Sequence, residues 1–178
     1  MAPSLAGKKV LFVVAPDGFR DEELLEPRKV LESAGASASV ASTKAGSATG
    51  MLGGRIAATL LVRDAKPADW DAVVVVGGMG SPAHLWDHAP LHALLRDRAA
   101  AGKVVAAICL SGAVLGKAGV AKGKRATCWP DPAAIAALRA GGASYEESGV
   151  VADGKVITAD GPPSARAFGE AVARAMGG

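Results

Sequence analysis

Aromatic residues are scarce, with three Trp, three Phe and one Tyr in 178 residues, so any core must be aliphatic. Cysteine is scarcer still. Cys109 and Cys128 are too few and too irregularly placed for a disulfide framework or a thiolate zinc site, and each must be judged alone. No uncharged apolar stretch reaches the ~20 residues needed to span a bilayer, which excludes a membrane span. The segment Met1 to Lys9 lacks the apolar centre and small-residue cleavage site of a signal peptide, so the expected location is the cytoplasm. Charge of one sign is also missing. The formal net charge is +3, and the only local cluster, Lys117, Lys122, Lys124 and Arg125, reads as a solvated loop. A nucleic-acid binder needs a larger, continuous basic face.

What is present is aliphatic and small: half the residues are hydrophobic, with 23 Gly. The length suits one core, so a single domain over 1–178 is expected. Lys8 to Ala15, Asp71 to Val76 and Lys103 to Ile108 are continuous apolar runs of the kind buried on both faces of a parallel sheet. Asp21 to Ala34 has helical spacing and stops at Gly35, with Pro27 as an early kink. Further helices are predicted at Pro90 to Ala101, Cys109 to Lys117, Asp131 to Ala140 and Ser164 to Met176. Ser37 to Ser42 reads as a strand, Gly46 to Leu61 as a weak hairpin, and short strands fall around Val150 and at Lys155 to Thr158. Strands alternating with helices imply a mainly parallel sheet covered on both faces, and ligands then bind beyond the carboxyl ends of the strands.

Three segments point to that rim: Asp17 to Glu23, Gly77 to Gly80, and Cys109. In Val104-Val105-Ala106-Ala107-Ile108-Cys109-Leu110-Ser111-Gly112 a strand meets a cysteine and then a helix, with small residues at Ala107 and Ser111. This is the pattern of a nucleophile elbow, where a tight reversal demands small neighbours. A cysteine at a helix start has its thiolate favoured by unpaired N–H groups and the helix dipole. An inert buried thiol is the competing reading. The residues alone do not separate Glu22 from Glu23 as a partner. Arg20, Asp21, Glu22 and Glu26 read as solvated helix-start charges. His84, His88 and His92 recur every four residues, but Pro90 breaks the register, so a surface helix is expected and no metal. Cys128 is expected to be structural.

The elbow A-A-I-C-L-S-G, the segment V-V-V-V-G-G-M-G and the acidic D-E-E-L-L-E-P together resemble the ThiJ/PfpI superfamily, which includes the Parkinson-disease protein deglycase and the intracellular peptidase PfpI. The resemblance runs collinearly from about Lys8 to Phe168. It implies a flavodoxin-like three-layer α/β sandwich, usually dimeric, with no cofactor. By position it implies Glu23, four residues before Pro27, as the acid that hydrogen-bonds Cys109, and the N–H groups of Gly78 and Leu110 as an oxyanion hole. Buried beside a sheet end, such an acid has its pKa raised and can stay protonated.

The departures narrow the activity. Leu110 stands where the peptidase branch has a histidine, which disfavours a cysteine peptidase. Trp129, before Pro130, can line a pocket but cannot exchange protons. Ala159-Asp160-Gly161-Pro162 replaces the S-R-G-P of the family, putting an anion where a cation stood. The leading expectation is an enzyme of glyoxalase or deglycase type acting on a small carbonyl substrate or glycated adduct. The alternatives are a PfpI-type peptidase or amidase, and a non-enzymatic stress sensor or chaperone that uses Cys109 oxidation. A homodimer is expected, with Met51-Leu52 and the Trp86 region as exposed apolar patches.

Overall fold

The computed structural model describes residues 2–178. In chain order the elements are β1 (Lys9–Val13), β2 (Asp17–Phe19), α1 (Asp21–Ser33), β3 (Ser37–Ser42), β4 (Gly46–Gly50), β5 (Arg55–Ala58), β6 (Leu60–Leu61), β7 (Ala72–Val75), α2 (Ser81–His84) and α3 (Ala89–Ala100). There follow β8 (Val104–Ile108), α4 (Gly112–Ala118), β9 (Arg125–Ala126), α5 (Pro132–Ala140), β10 (Ser144–Tyr145), β11 (Val150–Asp153), β12 (Val156–Ala159) and α6 (Ala165–Gly177).

The apolar runs pair side by side as their continuity requires. The main sheet has seven strands in the order β11-β12-β8-β7-β1-β3-β6, parallel except for β11, which pairs antiparallel with β12. Every residue of β7 and β8 is buried, since helices cover both faces. The handedness of the crossovers assigns the layers. From β1 the chain steps through α1 to β3, whereas from β7 it steps the opposite way through α3 to β8. Right-handed crossovers in opposite directions put α1 and α3 on opposite faces. α6 packs against α1, and α4 packs against α3 and α5, completing a flavodoxin-like α/β sandwich. β1 and β7 flank the point where the direction reverses, and their carboxyl ends open onto the site.

Several local expectations are corrected. Asp17 to Phe19, where the sequence predicts no strand, forms β2, parallel to β4, which pairs antiparallel with β5 in a separate three-stranded sheet. The hairpin expected over Gly46 to Leu61 is formed by β4 and β5, while β6 at its end joins the main sheet. The hairpin tip reaches the site. The three histidines do not share one helix, because His84 ends α2, His88 caps α3 and His92 lies inside it. His92 Nε2 is bonded to the carbonyl oxygen of Trp86 at 2.8 Å. The basic cluster is partly paired: Lys117 with Asp87 at 2.8 Å and Arg125 with Glu146 at 3.5 Å. Among the described residues no helix is long and apolar enough to cross a membrane.

Candidate active site around Cys109

β8 runs extended through Ile108, and the chain then turns abruptly, because Cys109 has φ 61°. It is the only non-glycine residue among those described with a positive φ. Such a conformation costs about 1–3 kcal/mol and persists only where surrounding contacts over-determine it. Here both carbonyls of the turn are tied down. Cys109 O accepts the Trp129 N–H at 3.1 Å, and Leu110 O accepts the Trp86 indole N–H at 2.9 Å. Trp86 is therefore half-buried and braces the elbow, and it is not the free apolar patch expected from the sequence.

Glu23 arrives from α1. It is fully buried, its Oε2 accepts the Gly77 N–H at 2.9 Å, and its Oε1 has no hydrogen-bond partner among the described residues. Burial pushes its pKa up to about 7, against the pull of the Cys109 thiol and the Gly77 N–H. Gly77 separates the two groups. A Cβ there would lie 2.5 Å from Glu23 Oε2 and 2.7 Å from Cys109 Cβ, so glycine is what allows carboxyl and thiol to approach.

Burial also pushes the Cys109 thiol up to about 12, the Glu23 carboxylate adding to the shift, while the N–H groups of Leu110 and Gly78 act in the other direction. The expectation of a thiolate favoured by a helix dipole is corrected on this point. Cys109 opens a short 3₁₀ turn ending at Ser111, and α4 begins only at Gly112, so burial outweighs the local N–H groups. Cys128 is likewise raised to about 12 by burial and is fully enclosed. What distinguishes the two thiols is access.

Cys109 lines a cleft of about 140 Å³ together with Arg20, Glu23, Met51, Gly78, Met79, Leu110, Trp129 and Pro162. The proposed site residues Cys109, Glu23, Gly78, Leu110 and Trp129 therefore meet at this one place. A larger groove of about 590 Å³, between α1 and α6, has no thiol or histidine in its walls. Within the rim segments, sequence reading did not single out Arg20 or Met79, and it did not foresee Met51 and Pro162, which distant loops bring to the rim. It also missed Asp21. That residue is not a solvated charge: it is buried and accepts the N–H groups of Leu52 and Gly54, each at 2.8 Å, fixing the tip that carries Met51. Arg20 pairs with Glu22 at 2.7 Å, which holds the Glu22 carboxyl below the usual range. Asp160 accepts from the Ser164 hydroxyl at 2.7 Å and does not line the cleft.

Comparison with known proteins fits this geometry. The model of the DJ-1/PfpI family matches residues 8–175. The chain belongs to the DJ-1/PfpI family. Within it, an uncharacterized protein of Methanocaldococcus jannaschii is 48% identical over 173 residues, covering 97% of this chain and 84% of the relative. A protein of Thermococcus kodakarensis named deglycase is 31% identical, covering 86% of this chain and 90% of its own. The crystal structure of a ThiJ/PfpI domain protein from Brachyspira murdochii superposes with a TM-score of 0.89 at 34% identity, covering 96% and 98% of the two chains. The ThiJ/PfpI resemblance drawn from the three motifs thus identifies the same DJ-1/PfpI family.

Proposed function

We propose that this DJ-1/PfpI family chain is a cofactor-independent, cysteine-dependent enzyme that converts small 2-oxoaldehydes such as methylglyoxal, free or as adducts, into 2-hydroxy acids. The observation that carries the reading is the strained Cys109 thiol beside a buried carboxyl whose pKa lies at about 7, in a cleft only large enough for a small molecule. A carboxyl near pH 7 both accepts and returns a proton under ordinary conditions.

The Cys109 sulfur adds to the aldehyde carbon as its thiol proton passes through the Glu23 carboxylate to the new alkoxide, giving a hemithioacetal. Glu23 removes the remaining hydrogen from that carbon as a proton, the electron pair moves toward the adjacent carbonyl, and the hydroxyl proton of the first carbon passes to that carbonyl's oxygen, forming an enediolate. Return of the proton to the second carbon gives a 2-hydroxy thioester. Water then splits the carbon–sulfur bond, releasing the acid and restoring the thiol. One water is added overall, and one carbon is oxidised as its neighbour is reduced. The N–H groups of Gly78 and Leu110 are the donors for the developing oxyanion, worth on the order of 3 kcal/mol each in a dry site.

The deglycase name of the Thermococcus relative supports this reaction class. A PfpI-type peptidase would need a base beside the thiol, where this chain has Leu110, and no histidine lines the cleft. We place the enzyme in the cytoplasm as a homodimer. The test is lactate formation from methylglyoxal by the purified protein, with amides and peptides as controls. Cys109→Ser should abolish turnover, and Glu23→Gln should lower kcat by roughly 10²- to 10⁴-fold. Turnover that survives Cys109→Ser would overturn the proposal. So would stoichiometric oxidation of Cys109 by mild peroxide in a protein with no turnover, which is the behaviour of a sensor.

A further inference from the structure

Two serine hydroxyls beneath the cleft are fully buried, and the reaction above uses neither. Ser111 Oγ donates to the carbonyl of Val76 at 2.7 Å and lies 2.7 Å from Ser81 Oγ. Because Ser111 commits its only proton to Val76, the Ser81 hydroxyl is the donor between the two. The result is a directed line from the first residue of α2, through the elbow turn, to the last carbonyl before Gly77.

The start and the middle of the line adjoin a backbone donor of the cleft. The Ser81 N–H donates to Gly78 O at 3.1 Å, closing the turn that starts at Gly78. Ser111 directly follows Leu110, within the 3₁₀ turn that Cys109 opens. The hydroxyl pair therefore joins the loop after β7 to the loop after β8, at the level of the two N–H groups that face the thiol. A buried hydroxyl is favourable only when its hydrogen bonds are made, and alanine would fill the same space without that demand. Two serines here therefore carry a geometric role.

We propose that Ser81 and Ser111 are positioning residues, whose hydroxyl relay sets the spacing and aim of the Gly78 and Leu110 N–H groups toward the Cys109 sulfur and the substrate oxygen. The proposal rests on the reading of Cys109 as the reacting thiol, and not on which carbonyl compound is the substrate.

The test measures the rate of iodoacetamide labelling of Cys109 from about pH 6 to 10, where the thiolate fraction of a thiol raised to about 12 is small and grows with pH, in the wild type and in Ser81→Ala, Ser111→Ala and the double variant. The kcat and KM for methylglyoxal and the thermal midpoint are measured on the same proteins. Ser111→Ala cuts the line in its middle. It should slow labelling at every pH in that range and lower kcat roughly 10- to 100-fold, while KM stays nearly constant, since misplaced donors act mainly on the transition state. Ser81→Ala leaves the Ser111 bond to Val76 intact and should show a smaller effect of the same kind. The double variant no longer holds an unpaired Ser81 hydroxyl, so it should regain part of the thermal midpoint lost in Ser111→Ala without regaining thiol reactivity. A Ser111→Ala protein that keeps the wild-type labelling profile and kcat, with only its thermal midpoint lowered, would overturn the relay. A wild-type protein whose turnover survives complete labelling of Cys109 would instead overturn the thiol reading, a result that the serine variants cannot mimic.

Discussion

A carboxyl whose burial outweighs the pull of a nearby Arg20 gives a pH effect of definite sign. Glu23 titrates at about 7 in the folded chain against an ordinary 4.5, so between those values the folded state holds a proton that the unfolded state has released. Stability from this group is full below about pH 4.5 and falls as pH rises through 7. At about 1.4 kcal/mol for each pKa unit, the whole effect is about 3 kcal/mol. Glu23→Gln keeps a buried polar group but removes the titration. Its thermal midpoint, compared with that of the wild type, should be similar at pH 4 and higher by roughly 5–10 °C at pH 8. Calorimetry that finds the same difference at both pH values would show that Glu23 is not the perturbed acid. Glu23 also marks how far single residues could be read. The motif and its resemblance point to Glu23 and Cys109, but the sign of the thiol shift depends on burial, which no spacing encodes. Asp21 was unreadable for another reason: its partners, the N–H groups of Leu52 and Gly54, lie 31 and 33 positions away and belong to backbone.

Elements were legible where burial is uniform and obscure where it is not. β1, β7 and β8 are buried along almost their whole length, so composition alone marks them. β2 and the four-residue α2 are short, lie beside glycines and are only partly covered, so nothing in their periodicity announces them. Helix α6 repeats its buried positions at Ala165, Phe168, Val172 and Met176, as an amphipathic helix should. How it meets α1 depends on Gly169 and Pro27. A Cβ on Gly169 would lie 2.7 Å from Pro27 Cα, so the two backbones are in near contact. Pro27 cannot yield, since its ring fixes the local helix and it has no N–H to give the carbonyl of Glu23. Gly169→Ala should therefore force α6 away from α1, with a loss of about 1–3 kcal/mol despite its better helix propensity. Urea unfolding measures this. A gain in stability would mean that the α1–α6 contact is loose enough to absorb a methyl group.

At the scale of the whole molecule, the reversal of strand order gathers the ends of β1, β7 and β8 at one rim. That explains why three sequence segments far apart converge on one cleft. The same scale bears on assembly. Among the described residues five large apolar ones are exposed: Leu25, Met51, Leu52, Met79 and Trp129. Met51, Met79 and Trp129 line the cleft and so have a use there. Leu25 and Leu52 do not, although they are 56% and 61% exposed. Asp21 links their segments, holding the Leu52 N–H and standing one helical turn before Leu25 on α1. An apolar pair kept in water without a role in the cleft is the kind of surface that a symmetric dimer covers, because each copy presents the same patch to the other. Light scattering at micromolar concentration should give twice the 17.7 kDa of the chain. Leu25→Asp combined with Leu52→Asp should reduce this to a single chain, because each copy would bring two charges into the contact. Cys109 labelling in that variant should stay as in the wild type, since neither leucine lines the cleft. A wild-type monomer would reject the dimer, and a dimer indifferent to both substitutions would move the contact to another face.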